Sequence, residues 1–377
     1  MRIAICTDAY LPQLSGVADS LDLLATTLRQ RGHEVRVYAP NFPGVVADPH
    51  IVRLPSYAIP GSARSMMLVF PFGIVKKMRV FKPEVIHVNT FSTAGMAGLY
   101  AGWRLGIPVV ATDHTSPSDY LHYVGLDFAP FRWSWRKFAA WFHGRSAVVT
   151  APTRHILDEL ARYGMHGVPT EVISNPVALD VFRPLPQKQE LKKKYGIGEN
   201  AVLIFGRIAM EKNLDFAADI FADVAARMPA QLVILGDGPY RGALARRLDE
   251  KGVADKTLFL GVLRGAALIE AVNAADVCLV TSLSEIQPMA TLQAMACALP
   301  IVGARAGGLP ECITDGKTGF TVDPKNKNEF VKKIIALLQD KKLAEQCGKA
   351  GREAVQGYFP EHIAERFEQV YQKVLIT

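Results

Sequence analysis

Short apolar runs alternate with amphipathic stretches along the first half of the chain. The apolar runs predict strands at residues 2–7, 34–39, 85–88, 108–112, 147–151 and 172–175. Between them, apolar residues recur at helical spacing and predict helices at residues 17–31, 94–105 and 154–163. Because consecutive parallel strands require a crossover connection, this alternation predicts a parallel sheet covered by helices on both faces.

The same alternation starts again after three prolines, Pro176, Pro184 and Pro186. Strands are then predicted at 202–205, 232–235, 257–260, 277–280 and 301–304, and helices at 214–228, 240–251, 266–274, 289–296 and 327–339. We therefore expect an α/β protein of two doubly wound, Rossmann-like domains, residues 1–180 and 181–358. Their ligands are expected at the carboxyl ends of the strands, in the cleft between the domains. Residues 359–377 hold a last helix with one apolar face, which we expect to pack on the first domain.

The composition is that of a globular protein, with 49% hydrophobic and 21% charged residues among 377. No apolar run reaches the ~20 residues that a membrane-spanning helix needs. The first residues predict a strand rather than a secretory signal, so we expect a cytoplasmic protein. Its five cysteines show no C-x-x-C spacing, which predicts buried thiols instead of disulfides or a zinc site.

The positive charge is concentrated in one region. The formal net charge is +7, and residues 51–145 alone contain eleven Lys and Arg against four Asp and Glu. Such an excess indicates a partner that is either nucleic acid or an anionic membrane. Bulky aliphatic residues accompany these cations, which favours acyl chains over nucleic acid, so no nucleic-acid partner is predicted.

The stretch 281–297 carries the first candidate site. Small polar residues follow the predicted strand 277–280, and a helix is predicted from Met289. The free N–H groups and the positive dipole end of such a helix favour a phosphate group. Glu285 lies on the turn, where an acid is more often a helix cap than a catalytic group. Its interpretation therefore depends on residues elsewhere in the chain.

Two further loops follow predicted strands. Residues 205–213 place Arg207 and Lys212 after the strand 202–205, and two cations at the carboxyl edge of a sheet suit a diphosphate. Residues 236–242 read G-x-G-x-x-x-G, similar to a dinucleotide fingerprint. The next strand, however, ends without the acid that would bind a ribose, so an NAD site is not predicted.

Together these motifs are more specific than any one of them. They are Gly206-Arg207 with Glu211-Lys212, Gly236-Asp237-Gly238-Pro239, Glu285 eight residues before Gln293, and Gly307-Gly308-Leu309-Pro310-Glu311. In this combination the chain resembles the retaining family-4 glycosyltransferases of GT-B fold over nearly its whole length. Residues 7–17 are similar to that family's N-terminal glycine loop.

The resemblance implies roles for individual residues. Arg207 and Lys212 would clamp the diphosphate of a nucleotide-sugar donor and stabilise the leaving group, because fixed cations favour the charge that develops there. Glu285 would hold sugar hydroxyls, and His114, after the strand 108–112, would lie over the sugar ring. The other donor contacts that it implies are Gly16, Gly236, the backbone near Leu263, Gln287, Met289 and Ala290. No metal or other cofactor is implied.

Two positions depart from the family pattern. Gln293 stands where the family has a second acid that accepts hydrogen bonds from the ribose, and an amide offers an acceptor without the charge. Pro288 stands where a glycine is usual, and proline has no backbone N–H. The sugar and the nucleotide therefore stay open, with a UDP-sugar favoured.

The acceptor side is predicted to contact lipid. On a helix, residues 131–145 would place Phe131, Trp135, Phe138 and Phe142 in one stripe beside Arg132, Arg136 and His143 in another, as an interfacial helix requires. Packing of this stripe against the protein's own sheet is the alternative. The segment 66–75, with Lys76, Lys77 and Arg79 after it, repeats the chemistry. The resemblance adds Tyr10 and Gln13 to the acceptor side. The sequence after His114 is similar to the diacylglycerol glycosyltransferases and, more loosely, to the mannosyltransferases that act on phosphatidylinositol.

We therefore expect a monotopic, retaining hexosyltransferase that glycosylates a membrane lipid, such as diacylglycerol, at the inner face of the cell membrane. Retention is expected through front-side attack, with the leaving phosphate accepting the acceptor's proton. An enzyme with a soluble or polysaccharide acceptor is one alternative, and a sugar-nucleotide binding protein impaired by Gln293 and Pro288 is another. The donor sugar, the acceptor headgroup and the oligomeric state stay open.

Overall fold

The computed structural model describes residues 1–13, 15–58, 67–70, 72–114 and 128–376, with the backbone alone for Ala58 and Met67. Its contacts divide the chain into two compact units. Met1–Pro176 and Pro360–Thr377 form the first unit, and Val177–Phe359 forms the second. The boundary expected from the proline-rich stretch was 180/181. The chain passes from one unit to the other twice.

The first unit is built on a parallel sheet. Its strands are β1 (Arg2–Cys6), β2 (Glu34–Pro40), β3 (Ile51–Leu54), β6 (Val85–Val88), β7 (Val109–Thr112), β8 (Val148–Ala151) and β9 (Thr170–Val172), and a separate antiparallel pair consists of β4 (Ser56–Ala58) and β5 (Met67–Val69). The seven strands lie in the order β3-β2-β1-β6-β7-β8-β9. Its helices before the chain leaves for the second unit are α1 (Gly16–Gln30), α2 (Ile74–Phe81), α3 (Thr93–Leu105), α4 (Ala129–His143) and α5 (Arg154–Arg162).

The second unit repeats this architecture with six parallel strands. They are β10 (Ala201–Phe205), β11 (Gln231–Leu235), β12 (Thr257–Gly261), β13 (Val277–Val280), β14 (Ile301–Ala304) and β15 (Gly319–Val322), in the order β12-β11-β10-β13-β14-β15. Its helices are α6 (Lys188–Tyr195), α7 (Leu214–Ala225), α8 (Arg241–Glu250), α9 (Gly265–Asn273), α10 (Met289–Ala296), α11 (Leu309–Cys312), α12 (Lys327–Gln339) and α13 (Lys341–Ala354). The prediction of two doubly wound sheets is confirmed.

Burial explains why these segments form a parallel sheet. The four residues of β6, of β7 and of β8 are all buried, as continuous apolar runs must be when helices cover both faces. Each sheet reverses its strand order once, between β1 and β6 in the first unit and between β10 and β13 in the second. Ligands of doubly wound folds bind at such switch points, at the carboxyl ends of the strands. All five cysteines are buried and unpaired, as their apolar contexts predicted.

The last helix, α14 (Pro360–Ile376), packs on the first unit although the whole second unit precedes it in the chain. Phe367 and Tyr371 belong to the same core cluster as β1 and α1. The Tyr371 hydroxyl lies 2.8 Å from Nδ1 of the fully buried His87. At the surface, Glu368 accepts from Arg31 at 2.6 Å. The helix therefore completes the core of the first unit.

Candidate active site

The loops after β10 and β13 form the centre of the candidate site in the second unit. The two strands are neighbours in the sheet, although β11 and β12 separate them in the chain. Thr281 and Ser282 follow β13, and their hydroxyls donate to Lys212 O at 2.9 Å and Glu211 O at 3.1 Å. These bonds fix the two loops to each other at the switch point of the sheet.

Lys212 and Glu285, predicted separately from two motifs, are in direct contact. Lys212 Nζ donates to Glu285 Oε1 at 2.5 Å, and the Glu285 side chain is largely buried. A short 3₁₀ turn, Met210–Lys212, presents the lysine, and Asn213 after it has a left-handed backbone with φ of 54°. The structure therefore joins an ammonium and a carboxylate at the carboxyl edge of the sheet.

Arg207 lies on the same loop and donates to Glu211, four residues further on. Its side chain is about one-third exposed, whereas Glu211 is nearly buried. A guanidinium is a group that planar oxyanions bind through paired hydrogen bonds. Both predicted cations are thus held by a carboxylate of the same unit.

Glycines permit the loops that carry Arg207, Lys212 and Glu285 to approach their neighbours closely. Gly236, after β11, has a φ of +141°, and a Cβ there would lie 1.9 Å from Gly206 O. Gly307, after β14, has a φ of +55°, and its Cβ would lie 2.3 Å from Glu285 O. The Gly308 N–H donates to the same Glu285 carbonyl at 2.7 Å. The glycines of two sequence motifs therefore shape the loops that carry Arg207 and Glu285.

The helix α10 begins at the carboxyl edge of β13, with Pro288 at its N-cap. The Pro288 carbonyl accepts from the Thr291 and Leu292 N–H groups at 3.0 and 3.1 Å. No side chain caps this helix in the described structure, and its first turn holds no acid. Proline at this position therefore leaves the start of the helix intact. The positive end of the helix dipole lies at the carboxyl edge of the sheet, the edge that also carries Lys212 and Glu285.

The remaining residues of the predicted donor site, apart from Leu263 and Gly16, belong to the loop after β13 and to α10. Gln287 is buried before α10, and Met289, Ala290 and Gln293 are half-buried on its first two turns. Leu263 is half-buried two residues after β12. Gly16, the first residue of α1, belongs to the first unit.

In the first unit, His114 follows β7 and lies close to the end of β6. Its Nε2 is 3.0 Å from Asn89 Oδ1, so the amide oxygen accepts and Nε2 carries the proton. Burial lowers the pKa of His114 to about 4, although the charge of Asp113 and a hydrogen bond with Asn175 oppose this shift. The imidazole is therefore neutral at pH 7 and acts as a hydrogen-bonding group.

A second histidine supports this edge of the sheet. His143, the last residue of α4, is fully buried, and its Nε2 lies 3.2 Å from Asp113 Oδ2. Asp113 is also buried and directly precedes His114. The predicted surface stripe of basic residues included His143, and the burial of this side chain shows that the placement is wrong.

Asp8 fixes the loop that follows β1. Its carboxylate accepts from the hydroxyls of Thr90, Ser92 and Thr93 at 2.6, 2.6 and 2.8 Å and from the Ala94 N–H at 3.0 Å. The residue joins the loops on both sides of the switch point and caps α3. Sequence reasoning missed this role, although an acid after a strand and a Ser-Thr pair before a helix are its visible signals.

The structure contradicts the prediction that Tyr10 contacts the acceptor. It is fully buried in the core cluster of the first unit, and its hydroxyl donates to Asp22 at 2.6 Å. A side chain in that position contacts neither an acceptor nor a membrane. Gln13 lies three residues further on, is half-buried and donates its backbone N–H to Tyr10 O at 3.1 Å.

The predicted lipid-facing stripe of α4 also needs correction. Phe142 is fully buried, with its ring close to Gly95 of α3, and Phe131, Trp135 and Phe138 are half-buried in a continuous stack. Trp135 also meets the buried Phe91 edge-on at 5.5 Å. The stripe therefore faces the protein, which was the alternative interpretation.

The basic residues predicted beside that stripe are also engaged. Arg136 donates to the Tyr163 hydroxyl at 2.7 Å and lies 3.3 Å from the largely buried Glu159, so it holds α4 to α5. Arg132 is half-buried.

Another face of α4 is exposed instead. It consists of Trp133 (57% exposed), Lys137, Trp141 (44% exposed) and, just beyond the helix, Arg145. Lys137 lies over the Trp133 ring and Arg145 over the Trp141 ring, at 5.6 and 4.1 Å from the centroids.

The second segment that was predicted to contact lipid, around α2, is exposed in the structure. Ile74, Met78 and Phe81 form the buried face of α2, so Lys76, Lys77 and Arg79 lie on the exposed side. Leu68, Phe70 and Phe72 precede the helix and are exposed, Phe72 by 75%. We call these six residues the β5–α2 surface. No helix in the described part of the chain is long and apolar enough to span a bilayer.

Two family models together match almost the whole chain. "Glycosyltransferase Family 4" matches residues 14–181, and "Glycosyl transferases group 1" matches residues 187–354. The first match lies within the first unit and the second within the second unit, apart from the residues at their junction.

Known proteins resemble the chain over most of its length. An alpha-monoglucosyldiacylglycerol synthase of Acholeplasma laidlawii is 30% identical, over 98% of this chain and 96% of that protein. A GDP-mannose-dependent alpha-mannosyltransferase of Mycolicibacterium smegmatis is 29% identical, over 86% of this chain and 84% of that protein. The crystal structure of Anabaena HepE in complex with UDP matches with a TM-score of 0.79 and 19% identity, over 99% of this chain and 100% of that chain, and it shows the shared fold.

Proposed function

Because the chain belongs to the family-4 glycosyltransferases, we propose that it transfers a hexose from a nucleotide diphosphate sugar to a hydroxyl of a membrane lipid such as diacylglycerol, with retention at the anomeric carbon. The observation that carries this proposal is the cluster of Arg207, Lys212 and Glu285 at the switch point of the second sheet. Two cations and an acid at one edge of the sheet match a ligand that joins a diphosphate to a polyhydroxyl ring.

In the proposed reaction, the bond between the anomeric carbon and the diphosphate oxygen breaks. Arg207 and Lys212, with the dipole of α10, stabilise the negative charge that develops on the leaving diphosphate. The acceptor hydroxyl forms the new bond on the same face, and its proton passes to an oxygen of the departing phosphate. Glu285 accepts hydrogen bonds from the sugar, and the neutral His114 offers a further hydrogen bond.

We propose that the enzyme needs no metal ion. The described residues contain no group of three or more His, Cys, Asp or Glu side chains with the geometry of a cation site. Cations and helix dipole then neutralise the diphosphate in place of Mg²⁺. Turnover should survive excess EDTA. Loss of turnover on chelation that Mg²⁺ or Mn²⁺ restores would contradict this part of the proposal.

The first unit supports a lipid acceptor rather than a soluble one. Its β5–α2 surface combines three exposed apolar side chains with three cations. The exposed face of α4 combines two tryptophans with Lys137 and Arg145. Aromatic and basic residues together are typical of proteins that lie at the surface of an anionic bilayer. We propose that the protein works at the inner face of the cell membrane.

The test is a matrix of donors and acceptors with purified protein. UDP-glucose, UDP-galactose, UDP-N-acetylglucosamine and GDP-mannose are each offered with diacylglycerol, phosphatidylinositol, ceramide or glycogen, in vesicles of defined composition where the acceptor is a lipid. We expect transfer from a UDP-sugar to a lipid, and the anomeric proton coupling of the product should be that of an α-glycoside. Transfer to glycogen alone would favour a polysaccharide acceptor, and donor binding without any transfer would favour an impaired binding protein.

A further inference from the structure

A pocket in the first unit is lined by none of the residues that were predicted to contact the donor or the acceptor. Its volume is about 730 Å³, within the range of small-molecule sites, and it opens between the loop after β1 and the connection from β2 to β3. Most of its lining is apolar, including Leu11, Pro12, Val45, Val46 and Ile51. It lies at the carboxyl edge of the sheet, where doubly wound domains bind ligands.

Arg53 supplies the cation of this pocket. Its side chain is half-buried, and two of its N–H groups donate to Pro40 O at 2.9 Å and Leu11 O at 2.8 Å. These bonds use two of the five donors of a guanidinium. No carboxylate lies within 4.0 Å of it in the described structure, and burial lowers the pKa of Arg53.

Asp48, the acid that lines the pocket, makes no ion pair with Arg53 in the described structure. Asp48 is exposed, and its Oδ1 accepts the His50 N–H at 2.7 Å. A half-buried charge without a directly paired counter-charge is costly to desolvate, and an oxyanion with two accepting oxygens would offset that cost. The cation and the apolar wall therefore point to a ligand that has an anionic head and an apolar body.

We propose that this pocket binds a phosphate-bearing glycerolipid, with the phosphate on Arg53 and the first acyl carbons against the apolar wall. Arg53 lies on β3, four strand spacings from β7, so it and His114 are about 19 Å apart along the sheet edge. Binding requires no turnover, so a failure of this site and a failure of the proposed transferase activity are separate results.

Calorimetric titration with three water-soluble probes tests the ligand class. They are dihexanoyl phosphatidate, the matched neutral dihexanoylglycerol, and inorganic phosphate. We expect one phosphatidate per chain, bound at least ~10-fold more tightly than either control, which is the scale of one charge-assisted hydrogen-bond pair. Equal affinity for the neutral lipid would remove the role of Arg53, and equal affinity for inorganic phosphate would remove the role of the apolar wall. Either result overturns the proposal.

A pair of charge variants on one exposed residue locates the site without disturbing the fold. Val46 lines the pocket and is 86% exposed. Val46→Glu should weaken phosphatidate binding ~5-fold or more, and Val46→Lys should leave it unchanged or tighten it. Arg53→Gln should reduce it ~10-fold. Identical affinity in Val46→Glu and Val46→Lys would place the lipid elsewhere and overturn the assignment, whatever Arg53→Gln does.

Discussion

At the scale of single residues, each of the two cations of the proposed donor site, Arg207 and Lys212, lies beside a carboxylate. Glu211 holds Arg207, and Glu285 holds Lys212. These contacts fix the two cations before any charge is transferred, which is how preorganised groups lower the energy of a transition state. They also leave the four side chains without net charge, so in the proposed mechanism a diphosphate competes with the carboxylates for its partners.

The first prediction concerns these cations. Arg207→Ala and Lys212→Ala should each lower kcat by ~10²-fold or more, the scale of one lost transition-state contact. Thermal stability should change little, because both side chains are partly exposed. Arg227→Ala, an exposed arginine two residues after α7, is the matched control and should keep full activity. Normal kcat in both cluster variants would remove the diphosphate clamp from the proposed mechanism.

At the scale of elements, the site depends on connections that only glycine permits. Gly307 and Gly316 both have positive φ, +55° and +75°, but only at Gly307 would a Cβ meet backbone, Glu285 O at 2.3 Å. A comparison of the two therefore separates conformational strain from the displacement of the Glu285 loop.

We expect Gly316→Ala to lower the free energy of unfolding by about 1 kcal/mol, the cost of an alanine in the left-handed region, with unchanged kinetics. Gly307→Ala should cost more and should raise the KM for the donor, because the loop with Glu285 must move. Urea unfolding followed by circular dichroism and steady-state kinetics measure both. Equal KM values for the two variants would show that Gly307 does not position this loop.

The exposed face of α4 leads to a prediction about membranes. Trp133→Ser with Trp141→Ser should reduce cosedimentation with anionic vesicles several-fold while the fold persists, because both rings are exposed. Binding by the unaltered protein should fall with added salt without vanishing, since apolar burial is not screened. Trp135→Ser with Phe138→Ser is the control, and it should destabilise the first unit instead. Undiminished vesicle binding by the Trp133 and Trp141 variant would exclude this face as a contact.

Helix α4 also shows what a sequence can and cannot specify. Its length, its aromatic residues and its cations are all visible in the sequence, as are the strand ends that carry Arg207, Lys212 and Glu285. The aromatic residues of this helix lie on two of its faces, and the sequence alone does not say which face is buried. The packing of Trp135 against Phe91 in the folded protein decides it. For the same reason Tyr10, which follows a strand as a ligand-binding residue would, proves to be a core residue paired with Asp22.

At the scale of the whole molecule, His87 and His114 make the first unit sensitive to acid. Burial lowers the pKa of His87 to about 3 and that of His114 to about 4, from 6.5. Between these values and 6.5 the unfolded chain binds more protons, so the free energy of unfolding decreases as the pH falls. Each histidine contributes on the order of 3 kcal/mol to this change.

Tryptophan fluorescence can follow this loss, because all four tryptophans lie in the first unit. The urea midpoint of the fluorescence transition should fall steadily from pH 7 to pH 4. His87→Gln should lower the midpoint at pH 7 and flatten its pH dependence, while His166→Gln, at an exposed position, serves as the control. A midpoint that is independent of pH over this interval would show that neither imidazole is held neutral by the fold.

The position of α14 has a consequence for biosynthesis. Translation produces residues 1–176 first, then the complete second unit, and only afterwards the helix whose Phe367 and Tyr371 fill the core beside His87. Until α14 has been synthesised, the first unit lacks the segment that completes its core. A nascent chain therefore exposes an apolar face of β1 and α1 over that interval, and premature termination near residue 360 damages the half of the protein that was made first.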